Sequence, residues 1–554
     1  MSDKVLRPRG RRQYFAACLL ILSLFAANFA QTATPAKSAI TADEKKFAEN
    51  IKVAAIKDIT ASLAAPEMQG RGTMQPGGDK AANWLAARMA KLGLKPLGDD
   101  GTYLQKIKFK EIYAEPETSV RIGDESLKVG EDYYLLPFSA GNKNVSADVV
   151  YLGYALVSED LKRDDLAGVD VKGKIVMVMP GVPAALENDP IKKSRSPYAI
   201  MQRVVQMGAA GVILLKTGRE KNGFAESAKY FTRRSVSLED AQGYPAFEPP
   251  FLTLSDRAAE KLFAGSATTF TEARARAETS EFKPIELKQK ASLDIRFKKN
   301  SGTGSNVVGW MEGSDPKLKD EAIVFSAHYD AYGLENGKIY PGAADNALGV
   351  AEMLSVAEAF SKAKTKPKRS LIFLAVTGEE YGLYGSRYWS RHPTWDITKV
   401  AADLNLDGIG SEVYGPVKTI VGFGAEHSTL GPVMEDIARA MDINVIPDPV
   451  PDEGAFYRSD HYSFVERGVP ALMLLGAPAG EKEVWMNRVA EFEKTNYHEP
   501  GDTIKPDWNW DGARTVAVIM GIMGQRIAAA DKMPVWLSSS RFAKMERGNT
   551  KDVP

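Results

Sequence analysis

Apolar runs and their polar interruptions divide the chain into three textures. In the first, residues 42–65 have helical composition. Ala81, Trp84, Leu85, Ala87, Arg88 and Leu92 then recur at helical spacing within 78–92, and Gly93 is placed to end that helix. Short alternating runs at 103–109 and 119–122 read as strands. From about residue 140 the pattern turns strand-rich, with apolar runs at 148–153, 173–179, 212–215 and 249–255 and helix candidates at 200–207 and 256–263. This predicts a small separate module over 140–285. After residue 300, apolar runs at 322–327, 370–376, 400–406 and 470–475 alternate with helix candidates at 349–362, 430–441 and 513–530. Such alternation predicts an α/β fold: a mostly parallel sheet with helices on both faces. Ligands of such sheets gather beyond the carboxyl ends of the strands. The polar stretch 538–554 reads as a loose tail, and no internal repeat is visible.

A chain of 554 residues predicts roughly two to four domains. With 44% apolar residues it can bury a large core. Acidic and basic residues balance at 71 each, which argues against a nucleic-acid partner. The first thirty residues hold Lys4, Arg7, Arg9, Arg11 and Arg12 against Asp3, and without them 66 basic and 70 acidic residues remain. A basic head followed by the uncharged apolar run 14–30 reads as a signal peptide over 1–30, with a linker over 31–42. That run is short for a membrane span of about 20 residues. The expectation is therefore an exported, periplasmic or secreted protein with no stable membrane span. Cys18, the one cysteine, lies inside this leader, so the rest of the chain forms no disulfide.

Five histidines are present, so each can be considered in turn. His328 closes an apolar run, with Asp330 two positions on. Positions i and i+2 of a strand share a face, so the Asp330 carboxylate is placed to orient the His328 ring. Asp345 stands in the small-residue loop Gly342-Ala343-Ala344-Asp345-Asn346-Ala347-Leu348-Gly349, either as a helix N-cap or as a bridge between cations. Glu379 and Glu380 follow a buried run, where paired carboxylates are costly without a positive partner. One of them can bind a cation while the other acts as a base. Asp407 ends another apolar run, and His498 precedes the last helical region. Two histidines and three carboxylates suit two divalent ions, zinc first. Asp345 is the best bridge, leaving each ion one histidine and one terminal carboxylate. A water between the ions completes the expected site.

These residues stand in motifs: Ser326-Ala327-His328-Tyr329-Asp330, the Asp345 loop, Thr377-Gly378-Glu379-Glu380, Asn405-Leu406-Asp407 and Tyr497-His498-Glu499-Pro500-Gly501-Asp502-Thr503. Their order and spacing resemble the dizinc exopeptidase family that includes aminopeptidase Y, bacterial leucyl aminopeptidases and plasma glutamate carboxypeptidase. Gly70-Arg71-Gly72-Thr73 resembles the start of that family's domain. Gly173-Lys174-Ile175-Val176 and Gly208-Ala209-Ala210-Gly211-Val212-Ile213 resemble a protease-associated domain. The resemblance implies a phosphorylase/hydrolase-like zinc exopeptidase fold in two parts, 43–139 and 286–537, interrupted by a protease-associated insert at 140–285 with a lid or recognition role. It implies two Zn2+ per chain on His328, Asp345, Glu380, Asp407 and His498, with Glu379 as general base. Tyr497 matches the place of an oxyanion-holding tyrosine. Arg458, Asp460 and His461, in Arg458-Ser459-Asp460-His461, match a motif near the substrate. His392 and His427 match nothing and read as loop or surface residues.

The implied function is metal-dependent hydrolysis of a terminal peptide bond, with an aminopeptidase leading. A carboxypeptidase or dipeptidase uses the same core. A glutaminyl cyclase needs one zinc, and a receptor-like ectodomain lacks a full ligand set. Peptides are the expected partners, and the sequence leaves the oligomeric state open.

Overall fold

A computed structural model describes residues 39–136, 142–241, 249–408, 411–478 and 482–551. The leader expected at 1–30, Cys18 and most of the linker lie outside these residues.

The main sheet is built from nine strands: β1 (Leu104–Ala114), β2 (Ser235–Leu238), β3 (Phe297–Met311), β4 (Ala322–His328), β5 (Ser370–Val376), β6 (Val400–Asn405), β7 (Val417–Phe423), β8 (Asn444–Val445) and β9 (Ala471–Pro478). Across the sheet they run β2-β1-β3-β5-β4-β6-β9-β7-β8, and Lys95–Pro96 adds a short pairing to β3. The centre is parallel, β5-β4-β6-β9. Strands β2, β1 and β3 on one side, and β7 on the other, pair antiparallel. The sheet is therefore mixed, not mostly parallel. Strands β5, β6, β8 and β9 each follow a helix (Gly349–Lys362, Tyr384–Arg391, Leu430–Ala440 and His461–Val465), whereas β3 enters directly from the smaller sheet and β4 follows β3 without one.

Every residue of β4 and β5 is buried, and the strand period decides which layer each joins. Ile323, Phe325, Ala327, Leu371, Phe373 and Ala375 pack beneath helices Val53–Leu63, Pro76–Lys91, Gly349–Lys362 and Asp511–Ala529. Phe325 and Phe373 stack across the strands at 5.3 Å. Val324, Ile372, Leu374 and Val376 face the opposite layer, with Trp389, Phe464 and Phe542. Fully burying each such side chain is worth about 1.5–3 kcal/mol, and burial on both faces leaves the strand ends little freedom.

Phe542 also corrects the expectation of a loose tail from residue 538. Its ring is fully buried, and Arg547 donates to the carbonyls of Val400 and Ala401. The polar composition of this stretch conceals one aromatic anchor and one half-buried cation. The helix expected over 42–65 is broken into Ala42–Ala48 and Val53–Leu63, with Ile51 turned into the core between them.

A second, eight-stranded sheet draws its strands from residues 119–295 and has its own cores on both faces. Its last strand, Ile285–Ile295, runs almost directly into β3. Strand β2 lies in the middle of this segment, yet it pairs with β1 in the main sheet.

Candidate metal centre

The carboxyl ends of β4, β5 and β6 lie side by side. His328 is the last residue of β4, Glu379 and Glu380 follow the end of β5, and Asp407 follows β6. Asp345 arrives from the turn Ala343–Leu348, and His498 from a loop before the last helix. All five expected ligands therefore converge. His328 Nε2 is 3.2 Å from Asp345 Oδ1 and 3.3 Å from Asp407 Oδ1. His498 Nε2 is 3.2 Å from Asp345 Oδ2 and 3.0 Å from Glu380 Oε2. Two triads result, His328-Asp345-Asp407 and Asp345-Glu380-His498, and they share Asp345 through opposite oxygens. This carboxylate does not cap the following helix; its oxygens are turned to the two rings.

Several buried contacts hold this arrangement. Asp502 accepts from the backbone N–H groups of Ala344 and Asp345 at 2.9 and 3.0 Å, fixing the loop that presents Asp345. Arg71, fully buried, donates to the carbonyls of Leu63, Tyr329, Pro341 and Gly342. Gly342 has φ +55°, and a Cβ there would meet Asp345 O at 2.4 Å, so the turn requires glycine. Ser459 Oγ donates to Asp407 Oδ2 at 2.5 Å and accepts from Asn405 Nδ2 at 2.7 Å.

Asp330 acts differently from the strand-based expectation. The chain leaves extended geometry after His328, so Nδ1 of that ring meets the backbone carbonyl of Asp330 at 3.2 Å, with the carboxylate 3.8 Å away. A carbonyl can only accept, so Nδ1 carries the proton and Nε2 keeps its lone pair for a cation. The Asp330 carboxylate instead accepts from Thr73 Oγ1 at 3.2 Å and from the backbone N–H of Glu379 at 3.3 Å.

Electrostatics favour a bound cation. Burial lowers the Arg71 guanidinium to about 10, against the opposing pull of Asp502, Asp330, Glu380 and Asp345, so it still carries its charge near neutrality. Burial opposes protonation of His498, but the charge of Glu380 and the contact with Asp345 push its ring up to about 9. Burial pushes the Glu379 carboxyl well above its ordinary range, and Asp407, Asp460 and Glu380 add to this against the pull of His328. Glu380 Oε2 is buried and has no hydrogen-bond donor aligned on it. So much negative charge in a water-poor site is costly without a positive partner. Imidazole and carboxylate donors fit zinc-like divalent ions.

Glu379 stands 3.9 Å from His328 Nε2, at the rim of both triads. Tyr497 stacks on His498 at 3.7 Å. With Asp407, Arg458 and Ser459, Tyr497 lines a cavity of about 580 Å³ whose farther wall is apolar, including Phe423, Met473, Leu475 and Val489. Arg458 is exposed. Asp460 is buried near the centre, and burial raises its carboxyl to about 7. His461 points elsewhere: its ring packs on Phe456, and burial lowers it to about 3. His392 is exposed, while His427 is half-buried against Phe456 and Phe542.

Sequence reasoning did not single out Asp502, Ser459 and Asn405, although all three stand in the quoted motifs. It missed Tyr332 entirely. The Tyr332 hydroxyl lies 3.4 Å from His498 Nδ1. Nothing in the local pattern marks it, because its partner is 166 positions away.

With this geometry in place, comparisons with known proteins agree on its class. The profile of peptidase family M28 matches residues 306–521, which contain every ligand above. The sequence is 25% identical over 420 residues to a probable leucine aminopeptidase 2 of Aspergillus oryzae, covering 72% of each chain. The fold is similar to that of an aminopeptidase from Aneurinibacillus sp. strain AM-1, with a TM-score of 0.57 at 20% identity over 87% of this chain and 95% of that one. A zinc aminopeptidase from Bacillus subtilis gives 0.51 at 16% identity over 91% and 99%.

Proposed function

We propose that this chain, whose residues 306–521 match the profile of peptidase family M28, is an aminopeptidase that removes single residues from peptides with two zinc ions. The observation that carries this reading is the division of Asp345 between two histidines, one oxygen to each. His328 and Asp407 would hold one ion, and His498 and Glu380 the other.

Zinc, when bound, would supply Lewis acidity to a scissile carbonyl and to an attacking water. Glu379 takes the proton of that water and delivers it to the leaving amine. A carboxyl that burial and neighbouring carboxylates raise above its ordinary range is suited to holding and returning a proton. Asp330 orients Glu379 through its backbone N–H. Tyr497, beside His498 at the cavity wall, is the candidate donor to the oxyanion, and Arg458 the candidate for contact with the rest of the peptide.

The aminopeptidase direction rests on the named relatives and on the mainly apolar cavity beside the ligands, which suits one side chain. We assign the second sheet to the protease-associated insert and the basic, apolar head at 1–30 to export. Among the described residues no helix is long and apolar enough to cross a membrane.

Metal analysis together with aminoacyl chromogenic substrates tests this reading. About two zinc ions per chain and cleavage of free but not acetylated amino termini are expected. Equal cleavage of acetylated peptides would reassign the enzyme to the carboxypeptidase or dipeptidase alternative.

A further inference from the structure

Of the five ligands, His498 alone has its backbone in the left-handed region, at φ 57°. A residue with a Cβ holds that conformation only where its surroundings impose it. The imposing contact comes from outside the main sheet's own elements. Arg233 Nη2 donates to the His498 carbonyl at 2.6 Å, and the Arg233 side chain is only 7% exposed. Its guanidinium lies over the ring of Tyr332 at 4.3 Å and over that of Tyr340 at 4.7 Å. Tyr332 in turn meets His498 edge-on at 4.9 Å, with its hydroxyl 3.4 Å from Nδ1. Lys229 pairs with the adjoining Glu499 at 3.2 Å.

Lys229 and Arg233 belong to an arm. The arm begins with helix Phe224–Phe231, held to the smaller sheet by stacking of Phe231 on Tyr134 at 5.4 Å, and ends as edge strand β2 of the main sheet. Arg233 sits at the elbow between the two.

We propose that Arg233 is a positioning residue for the Glu380–His498 cation site: by holding the His498 carbonyl and bracing Tyr332, it makes retention of that one ion depend on the docked arm of the smaller module. The geometry gives the His328 site no such dependence, since His328 and Asp407 stand on adjoining parallel strands. This inference rests on the two-zinc reading above.

The test uses the full chain loaded with zinc and a graded competing chelator at fixed pH. In Arg233→Met, one zinc per chain should leave at about a tenfold lower chelator concentration, the size seen when a ligand's supporting contact is lost. The second zinc should leave where it does in the parent. Arg233→Lys, which keeps a cationic donor, should recover most of the difference. The melting temperature of the metal-free protein should be the same for parent and variant. If Arg233→Met lowers it, Tyr332→Phe, which deletes only a hydroxyl, should show the same one-ion release. Release of both ions together at the parent's concentration, or an equal shift of both, overturns the inference and leaves the two-zinc reading intact. A parent that binds fewer than two zinc ions overturns the reading itself.

Discussion

The two halves of the candidate metal centre offer nearly the same donor types but are built in different ways. His328 and Asp407 stand at the ends of neighbouring parallel strands, and His328 is only 1% exposed. Glu380 follows a neighbouring strand, but His498 comes from a loop, is 24% exposed and has a left-handed backbone. In the first half, secondary structure itself supplies the position. In the second, Arg233 and Tyr332 supply it through contacts between distant segments. A buried strand end gives precision as a by-product of core packing, whereas a loop ligand needs a clamp.

The variant that erases the comparison should have the largest effect. Asp345→Ala removes the donor common to both halves. Zinc content should fall toward zero and hydrolysis by about a thousandfold or more, the scale of losing a metal-centred reaction. Retention of two zinc ions would remove Asp345 from its bridging place. Glu379→Gln should leave both halves loaded and lower kcat by about 10²–10⁴. Unchanged turnover would assign the base elsewhere.

Separating the halves comes next. His328→Ala and His498→Ala should each leave about one zinc per chain. Only His328→Ala should also destabilise the metal-free protein, by about 1–3 kcal/mol, because it strips a hydrogen-bonded side chain from beneath the sheet end. Equal melting temperatures for the two would abolish the distinction. Protons compete with zinc at the loop half. In the metal-free chain the His498 ring, raised to about 9, carries a proton below that pH that zinc must displace. Zinc uptake near neutrality should therefore release protons into a weakly buffered solution. Affinity there should weaken by about tenfold per unit as the pH falls. Uptake without proton release would contradict the raised ring. The smallest effect is expected at the strand half. Ser459→Ala deletes the donor to Asp407 Oδ2 and should weaken one zinc by about tenfold, with little change in melting.

What could be read in the sequence follows the same division. His328, Glu379, Glu380 and Asp407 were legible because largely apolar runs end on them or within a few residues of them, and a carboxylate or imidazole just past such a run marks a strand tip. The parallel centre of the sheet was legible from its alternation with helices. The antiparallel flanks were not, because β1 and β3 have no pattern that tells one strand direction from another. Asp330 misled because the strand period was extended two residues past the strand. Arg233 left no trace, since its partner lies 265 positions away and an arginine pair after a helix reads as surface.

The return of β2 to the main sheet also limits how this chain can be cut. Excising residues 140–285 to obtain a minimal enzyme would remove more than an accessory. Among the described residues, the long ribbon at 104–114 would lose its paired neighbour on that side, and its bare amide edge would be open to other chains, a familiar route to aggregation. A shortened version should therefore keep 235–238, or cap that border with charge, before its solubility is judged.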